Sequence, residues 1–246
     1  MARWRLLLEY DGGPFQGWQR QGDAPTVQGA LEAALAAFTG ETPTVTAAGR
    51  TDAGVHALAQ VAHLDLARDW LPERLLGALN FHLRPHPVAV LAAREVSDDF
   101  HARFSCTGRR YLYRILARRS PPVLERGRVW HVPVPLDHEP MHVAAQALVG
   151  RHDFTSFRSS ECQSASPVKT LSGIHVAREG ELILCRLRAR SFLHHQVRNI
   201  VGTLKAVGEG KAPLDHVRDV LAARDRSAAG QTAPAAGLYL ESVEYG

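Results

Sequence analysis

A chain of 246 residues, 45% of them hydrophobic, is long enough to bury one large core or two modest ones. The 29 basic and 25 acidic residues leave a net charge of +4, which excludes a strongly acidic protein. No apolar run approaches the roughly 20 residues of a transmembrane helix, and the start lacks the apolar core of a signal peptide, so we expect a protein that neither spans a membrane nor is exported.

The first half of the chain predicts six elements in the order β-α-β-β-α-β. Thr26 is the predicted N-cap, because threonine side chains accept hydrogen bonds from the first turn of a helix. Two alternating runs follow that helix, separated by a short loop. In chain order the predicted elements are strand 3–10, helix 27–38, strands 44–48 and 56–66, a helix that starts near Pro72, and strand 88–96.

The second half repeats much of this pattern. Its predicted elements are strand 109–117, helix 137–149, strands 170–177 and 181–189, helices 193–207 and 214–223, and strand 238–245. The order predicts an α+β fold of two similar split-βαβ domains, ferredoxin-like or RRM-like, with antiparallel sheets. We expect the first domain at 1–105, carrying the Asp52 loop, and the second at 106–246. Two such halves would flank a central cleft, where a site is expected by default.

A glycine-containing loop joins the strands predicted at 44–48 and 56–66. Gly49 and Gly54 can adopt positive φ, so the backbone can turn sharply and hold Asp52 outward. An isolated Asp-x-Gly is also typical of a plain hairpin turn, and taken alone it favours that interpretation. The loop by itself leaves Asp52 open as a nucleophile, a general base, a metal ligand or a turn former.

Several chemistries lack their partners in the sequence. The segment between Gly49 and Val55 has no second carboxylate or histidine for a metal centre. We find no paired glycosidase acid, no G-x-S-x-G elbow and no phosphate-binding loop. His194 and His195 are adjacent, and on the helix predicted there they would point about 100° apart. The sequence therefore predicts no metal site and leaves Asp52 acting alone.

The number and spacing of the cysteines indicate the cellular compartment of the protein. Cys106, Cys162 and Cys185 are odd in number and contain no C-x-x-C pair. They also lack histidines at zinc-ligand spacing. We therefore expect reduced thiols and a cytoplasmic protein.

Two spans, 100–124 and 182–208, contain no acidic residue but many arginines. The first includes Arg109, Arg110 and Arg114, and the second includes Arg198. Such spans indicate a polyanion partner, although some of these arginines would be ordinary solvated side chains. A carboxylate nucleophile must be ionised, and a nearby cation lowers its pKa. Arg198 is the candidate for that cation.

Tyr111 and Tyr113 alternate with Leu112 on a predicted strand, so both rings are expected on one face. One interpretation is an aromatic platform on which a nucleobase stacks. The other is that both rings belong to the core. The pattern alone does not favour either one.

These motifs, in order, resemble the TruA family of tRNA pseudouridine synthases over nearly the whole chain. The opening contributes Tyr10-Asp11-Gly12 and Phe15-Gln16-Gly17-Trp18-Gln19, and the loop Gly49-Arg50-Thr51-Asp52-Ala53-Gly54-Val55-His56-Ala57 resembles the family signature. Further matches are Phe100-His101-Ala102-Arg103-Phe104, Tyr111-Leu112-Tyr113, His152-Asp153-Phe154-Thr155-Ser156-Phe157, Gln196-Val197-Arg198, Val201-Gly202-Thr203-Leu204 and Gly237-Leu238-Tyr239-Leu240.

The resemblance implies isomerisation of uridine to pseudouridine at positions 38, 39 and 40 of the tRNA anticodon stem-loop, without metal or cofactor. It implies that Asp52 is the nucleophile, that Tyr111 packs on the target base and that Arg198 pairs with Asp52. It also implies that Arg50 helps displace the base, and that a homodimer holds tRNA across both subunits. A non-catalytic RNA-binding protein would explain the arginines and tyrosines but not the Asp52 loop.

Overall fold

The computed structural model describes residues 1–246 and contains ten strands and five α-helices, a mixed α/β fold. The chain divides into two compact units, Met1–Thr107 with Tyr239–Gly246, and Gly108–Leu238. The two units are groups of residues that contact one another, whereas the predicted domains follow the repeated order of helices and strands. The domain boundary after residue 105 therefore stays a prediction. No helix is both long enough and apolar enough to cross a membrane.

The first unit contains a sheet in the order β4-β1-β3-β10. Strand β1 pairs antiparallel with β3 and β4, β10 runs parallel to β3, and the short β2 pairs with β3. Alternate residues of β1, including Trp4, Leu6 and Leu8, are buried, as a strand with one covered face requires. The bounds are β1 Ala2–Tyr10, α1 Val27–Thr39, β2 Thr46–Ala47, β3 His56–Leu66, α2 Pro72–His82, β4 Val88–Val96 and β10 Leu238–Tyr245.

Local sequence explains where helix α1 begins and ends. The Thr26 side chain accepts a hydrogen bond from the Gly29 backbone N–H at 3.2 Å, so the predicted cap is confirmed. Gly40 ends the helix with φ 71°, a left-handed conformation that glycine adopts without steric cost. Leu31 and Leu35 are wholly buried on one face.

The second unit contains strands in the order β5-β9-β8-β7, all antiparallel, with β6 parallel to β5. Helices α3, α4 and α5 pack against one another, and α3 also packs on β8. The bounds are β5 Cys106–Ala117, β6 Trp130–Val132, α3 His138–Ala145, β7 Gly150–Asp153, β8 Val168–Glu179, β9 Leu182–Ala189, α4 Gln196–Gly208 and α5 His216–Ala223.

One predicted helix starts later than expected. Helix α4 begins at Gln196 rather than residue 193, because the Gln196 side chain accepts the Leu193 N–H at 2.8 Å and His195 takes φ 61°. His194 and His195 therefore precede the helix, and their ring centroids lie 4.0 Å apart. The prediction that a helix turns them apart was wrong, and the expected absence of a metal site stays a prediction.

Candidate active site

Asp52 opens a tight turn in the loop between β2 and β3. The Val55 N–H donates to the Asp52 carbonyl at 3.1 Å, and Gly54 takes φ 75° within that turn. Asp52 is half-buried, whereas Arg50 is exposed. The geometry agrees with the turn interpretation, and it also presents the carboxylate on a fixed backbone.

The segment at residues 12–18 braces this turn through its backbone. The Trp18 N–H donates to the Thr51 carbonyl at 3.0 Å, and the Gly54 N–H donates to the Phe15 carbonyl at 3.3 Å. Two glycines permit the close approach. A Cβ on Gly12 would lie 2.0 Å from the Val55 carbonyl oxygen, and one on Gly17, which has φ 92°, would lie 2.7 Å from the Thr51 carbonyl oxygen.

Buried polar side chains support the loop from the sheet. The Tyr10 hydroxyl lies 2.8 Å from Oγ1 of Thr51, and Nε2 of Gln60 donates to the Gly49 carbonyl at 2.8 Å. Burial raises the pKa of Tyr10 to about 12, against the opposing hydrogen bonds from Thr51 and Gln60, so the phenol stays protonated at neutral pH. The loop is therefore supported by buried polar side chains whose hydrogen-bonding atoms have partners.

His56 continues this support at the start of β3. Its Nδ1 accepts the Gly12 N–H at 3.0 Å and lies 3.1 Å from Oδ1 of Asp11. Its ring stacks on Tyr239 with centroids 4.7 Å apart. Reasoning from residue types missed the supporting roles of Tyr10, Gln60 and His56. The Tyr10-Asp11-Gly12 motif was the available signal.

The two tyrosines of β5 lie in different environments. Tyr113 is wholly buried, its hydroxyl donates to the Pro234 carbonyl at 2.7 Å, and burial raises its pKa. Tyr111 is half-buried and meets Phe192 edge-on, with centroids 5.1 Å apart. The core interpretation is therefore confirmed for Tyr113, while Tyr111 is only partly buried.

Arg198 lies on helix α4 and is fixed by the loop before β10. Its Nε donates to the Ala233 carbonyl at 2.7 Å, and the Ala233 N–H donates to the Arg198 carbonyl at 3.2 Å. Arg226 holds the same loop, donating from Nη2 to Oδ1 of Asn199 at 3.1 Å and to Oγ1 of Thr232 at 2.9 Å. The Arg198 guanidinium is thus preorganised within the second unit.

The arginines of the first acid-free span differ in their surroundings. Arg109 donates from Nη1 to the Arg190 carbonyl, and Arg110 is exposed on β5 opposite Arg188 of β9. Arg114 forms an ion pair with Glu125 at 3.1 Å. Arg50 and Asp52 belong to the first unit, and the other predicted site residues belong to the second. That all of them act together in one active site stays a prediction.

Known proteins match this chain along its length. A family model described as tRNA pseudouridine synthase matches residues 7–105 and 144–246. The tRNA pseudouridine synthase A of Rhodospirillum centenum (strain ATCC 51521 / SW) is 66% identical over 245 residues, covering all of both chains. The protein of the same name from Azorhizobium caulinodans is 58% identical over 245 residues, covering all of this chain and 95% of that one. The chain therefore belongs to the TruA family of tRNA pseudouridine synthases, isomerases that act on tRNA.

Proposed function

We propose that this protein converts uridine to pseudouridine at positions 38, 39 and 40 of the tRNA anticodon stem-loop, with Asp52 as the nucleophile. The observation that carries the proposal is the Asp52 turn, which is half-buried and is braced by backbone hydrogen bonds to Phe15 and Trp18. A reacting group held on a rigid backbone gains from proximity and orientation, which lower the barrier of a bound reaction.

The reaction is an isomerisation that needs no net oxidant or reductant. The bond from the ribose to a ring nitrogen breaks, and a bond from the ribose to a ring carbon forms. That carbon loses a proton, and the released nitrogen gains one. Asp52 can serve by attacking the sugar, by attacking the base or by removing a sugar proton, and each role requires the ionised carboxylate.

Three side chains complete the proposed chemistry. Arg198 pairs with the Asp52 carboxylate, as the family resemblance implies. Tyr111 packs on the target base, and its edge contact with Phe192 supports that orientation. Arg50, exposed on the loop, helps displace the base from the stem.

Extruding the target base costs a few kcal/mol, which contacts to the RNA backbone must offset. We assign those contacts to Arg109, Arg110 and Arg114 on β5. The exposed side chain of Arg110 supports its assignment. Arg114 would break its ion pair with Glu125 in order to contact a phosphate. These contacts position the RNA and carry little sequence information.

The proposed enzyme is a cytoplasmic homodimer that binds tRNA across both subunits and uses neither metal nor cofactor. We propose two split-βαβ domains, 1–105 and 106–246, that flank a central cleft. The order β1-α1-β2-β3-α2-β4 in the first half supports this arrangement. The family resemblance supports the homodimer.

Mapping the product on tRNA tests the proposal. Purified protein is incubated with unmodified tRNA in a buffer containing a chelator, and every pseudouridine is located by carbodiimide labelling. The proposal expects labelling at positions 38, 39 and 40 wherever uridine occurs there. Labelling elsewhere on the tRNA would overturn the site assignment. Labelling that the chelator abolishes would overturn the metal-free chemistry.

A further inference from the structure

One phenylalanine side chain near the end of the segment 100–105 is exposed to solvent. Phe104 is 71% exposed, although it belongs to a motif that the proposed chemistry does not use. Single exposed apolar residues are ordinary on protein surfaces and need no explanation by themselves. Phe104 differs because the residues beneath it fix both its backbone and its ring.

The backbone that presents Phe104 is a hydrogen-bonded turn. Nδ1 of His101 accepts the N–H groups of Arg103 at 3.2 Å and of Phe104 at 3.3 Å. The Ser105 N–H donates to the His101 carbonyl at 2.9 Å, and the His101 N–H donates to Oγ of Ser105 at 3.0 Å. The turn is therefore ordered before any ligand binds, which reduces the entropy cost of binding.

The ring of Phe104 ends a column of rings that rises from the core. Phe104 lies on His101 with centroids 4.3 Å apart and planes inclined by 31°, and His101 lies 4.6 Å from buried His63. Nδ1 of His63 accepts the Ala102 N–H at 3.2 Å, which ties the column to β3. An aromatic ring supported in this way can act as a platform for another flat ring.

The platform is connected to the strand that leads into the Asp52 loop. Ala102 packs with Ala48 and Val61 in one buried cluster. Ala48 precedes Asp52 by four residues, which is at most about 14 Å of extended chain. A base on the platform and a nucleotide at Asp52 can therefore belong to one tRNA molecule.

Charge around the platform indicates a base attached to phosphate. The Arg103 side chain is exposed, and its guanidinium lies 5.8 Å from the Phe104 ring centroid. Asp98 and Asp99 are also exposed earlier in this segment, so the field is mixed rather than uniformly positive. Arginine next to an aromatic ring is a combination that single-stranded nucleic acid uses for stacking and phosphate contact.

We propose that Phe104 is a stacking platform for an unpaired base of the tRNA substrate, distinct from the nucleotide that reacts at Asp52. The proposal rests on tRNA as the substrate but not on which uridine is modified. Phe104 contributes to binding and positioning, and Arg103 provides the adjacent cation. An aromatic side chain at 104 is required, whereas its identity as phenylalanine is not.

Binding of unmodified tRNA to three variants tests this proposal, with Phe81 as the matched control. Phe81 is 67% exposed on α2 in the same unit. Stacking predicts that Phe104→Ala weakens tRNA binding roughly 5- to 150-fold at constant salt, while Phe81→Ala leaves it unchanged. Phe104→Trp should bind like the parent, and tRNA should quench its additional tryptophan fluorescence relative to the parent protein.

Two results would overturn the platform. One is unchanged tRNA affinity in Phe104→Ala together with no additional quenching in Phe104→Trp. The other is a Phe104→Ala variant that sediments as a smaller species without RNA, which would assign the ring to contact with a second copy of the chain. Parent protein that binds tRNA but forms no pseudouridine would contradict the proposed function and leave the platform standing.

Discussion

The Tyr10 hydroxyl lies 2.8 Å from Oγ1 of Thr51, so a buried strand residue is joined to the residue immediately before Asp52. Gln60 extends the connection, with Nε2 3.4 Å from the Tyr10 hydroxyl and 2.8 Å from the Gly49 carbonyl. Strands β1 and β3 thus hold the loop on both sides of Arg50. The position of Asp52 therefore depends on the buried residues Tyr10, Thr51 and Gln60.

Tyr10→Phe should lower both stability and turnover. Removing the hydroxyl leaves buried Thr51 and Gln60 short of a partner, which costs about 1–3 kcal/mol of unfolding free energy. Because Thr51 adjoins Asp52, single-turnover pseudouridine formation should slow while tRNA affinity changes little. Urea unfolding and rapid-quench kinetics measure the two effects.

Thr39→Val is the matched control for that variant. It removes a buried hydroxyl that donates to the Leu35 carbonyl at 2.8 Å, at the end of α1. It should lower stability without slowing turnover. An equal slowing in both variants at equal loss of stability would refute a specific role for the Tyr10 contact.

Alkaline pH should destabilise the protein because the buried Tyr10 phenol and Cys185 thiol have raised pKa values. Burial raises the pKa of Tyr10 from 10.0 to about 12 and that of Cys185 from 9.0 to about 12. The unfolded chain releases these protons first, so both groups leave stability unchanged below about pH 9. As pH rises towards 12, the unfolding free energy should fall by up to about 1.4 kcal/mol per pH unit for each group.

Urea unfolding between about pH 8 and 11 checks this expectation. Cys185→Ala should flatten the fall that begins near pH 9, and Tyr10→Phe should flatten the part that begins near pH 10. Parallel curves for the parent and both variants would show that these groups do not titrate differently on folding.

Gly12→Ala should disrupt the loop severely. The new Cβ would lie 2.0 Å from the Val55 carbonyl oxygen, and backbone must move to relieve the contact. We expect loss of pseudouridine formation and a lowered melting temperature. Gly77→Ala is the control, because no atom beyond its chain neighbours and the backbone of helix α2 lies within 4 Å of its Cβ position, and it should be neutral or stabilising. Full activity in Gly12→Ala would disprove this close packing of Gly12 on Val55.

Salt dependence should separate two neighbouring arginines of β5. Arg110→Gln should weaken tRNA binding and reduce the slope of log affinity against log salt by about 1, as expected for one lost phosphate contact. Arg114→Gln should change the slope less, because Glu125 at 3.1 Å already compensates that charge. Filter binding over a salt series measures both slopes. An unchanged slope for Arg110→Gln would place that residue on a merely solvated face.

Local patterns predicted the regular elements well. The Thr26 cap indicated the start of α1, and alternation gave β3 at His56–Leu66 as the structure has it. Strand β2 is shorter than predicted, at Thr46–Ala47, and immediately before it the Val45 N–H donates to Oε1 of Glu32 at 3.1 Å rather than to a neighbouring strand. Side-chain competition of this kind leaves no periodic signal.

Long-range contacts explain why most of the site could not be predicted from residue types. Tyr10 meets Thr51 across 41 residues, and Ala102 meets His63 across 39. No local pattern encodes such pairs, and the Asp52 loop taken alone favoured a plain hairpin turn. The ordered family motifs singled out Asp52, whereas the contacts that fix its backbone required coordinates.

The most direct test of Asp52 as the reacting group compares Asp52→Asn with the parent and with Asp23→Asn, which changes an exposed carboxylate in an outer loop. Each protein is incubated with unmodified tRNA, and carbon-linked uridine is quantified beside the dissociation constant for tRNA. The parent and Asp23→Asn should form pseudouridine, whereas Asp52→Asn should bind tRNA nearly as tightly and form none. Substantial turnover by a clean preparation of Asp52→Asn would contradict the assignment.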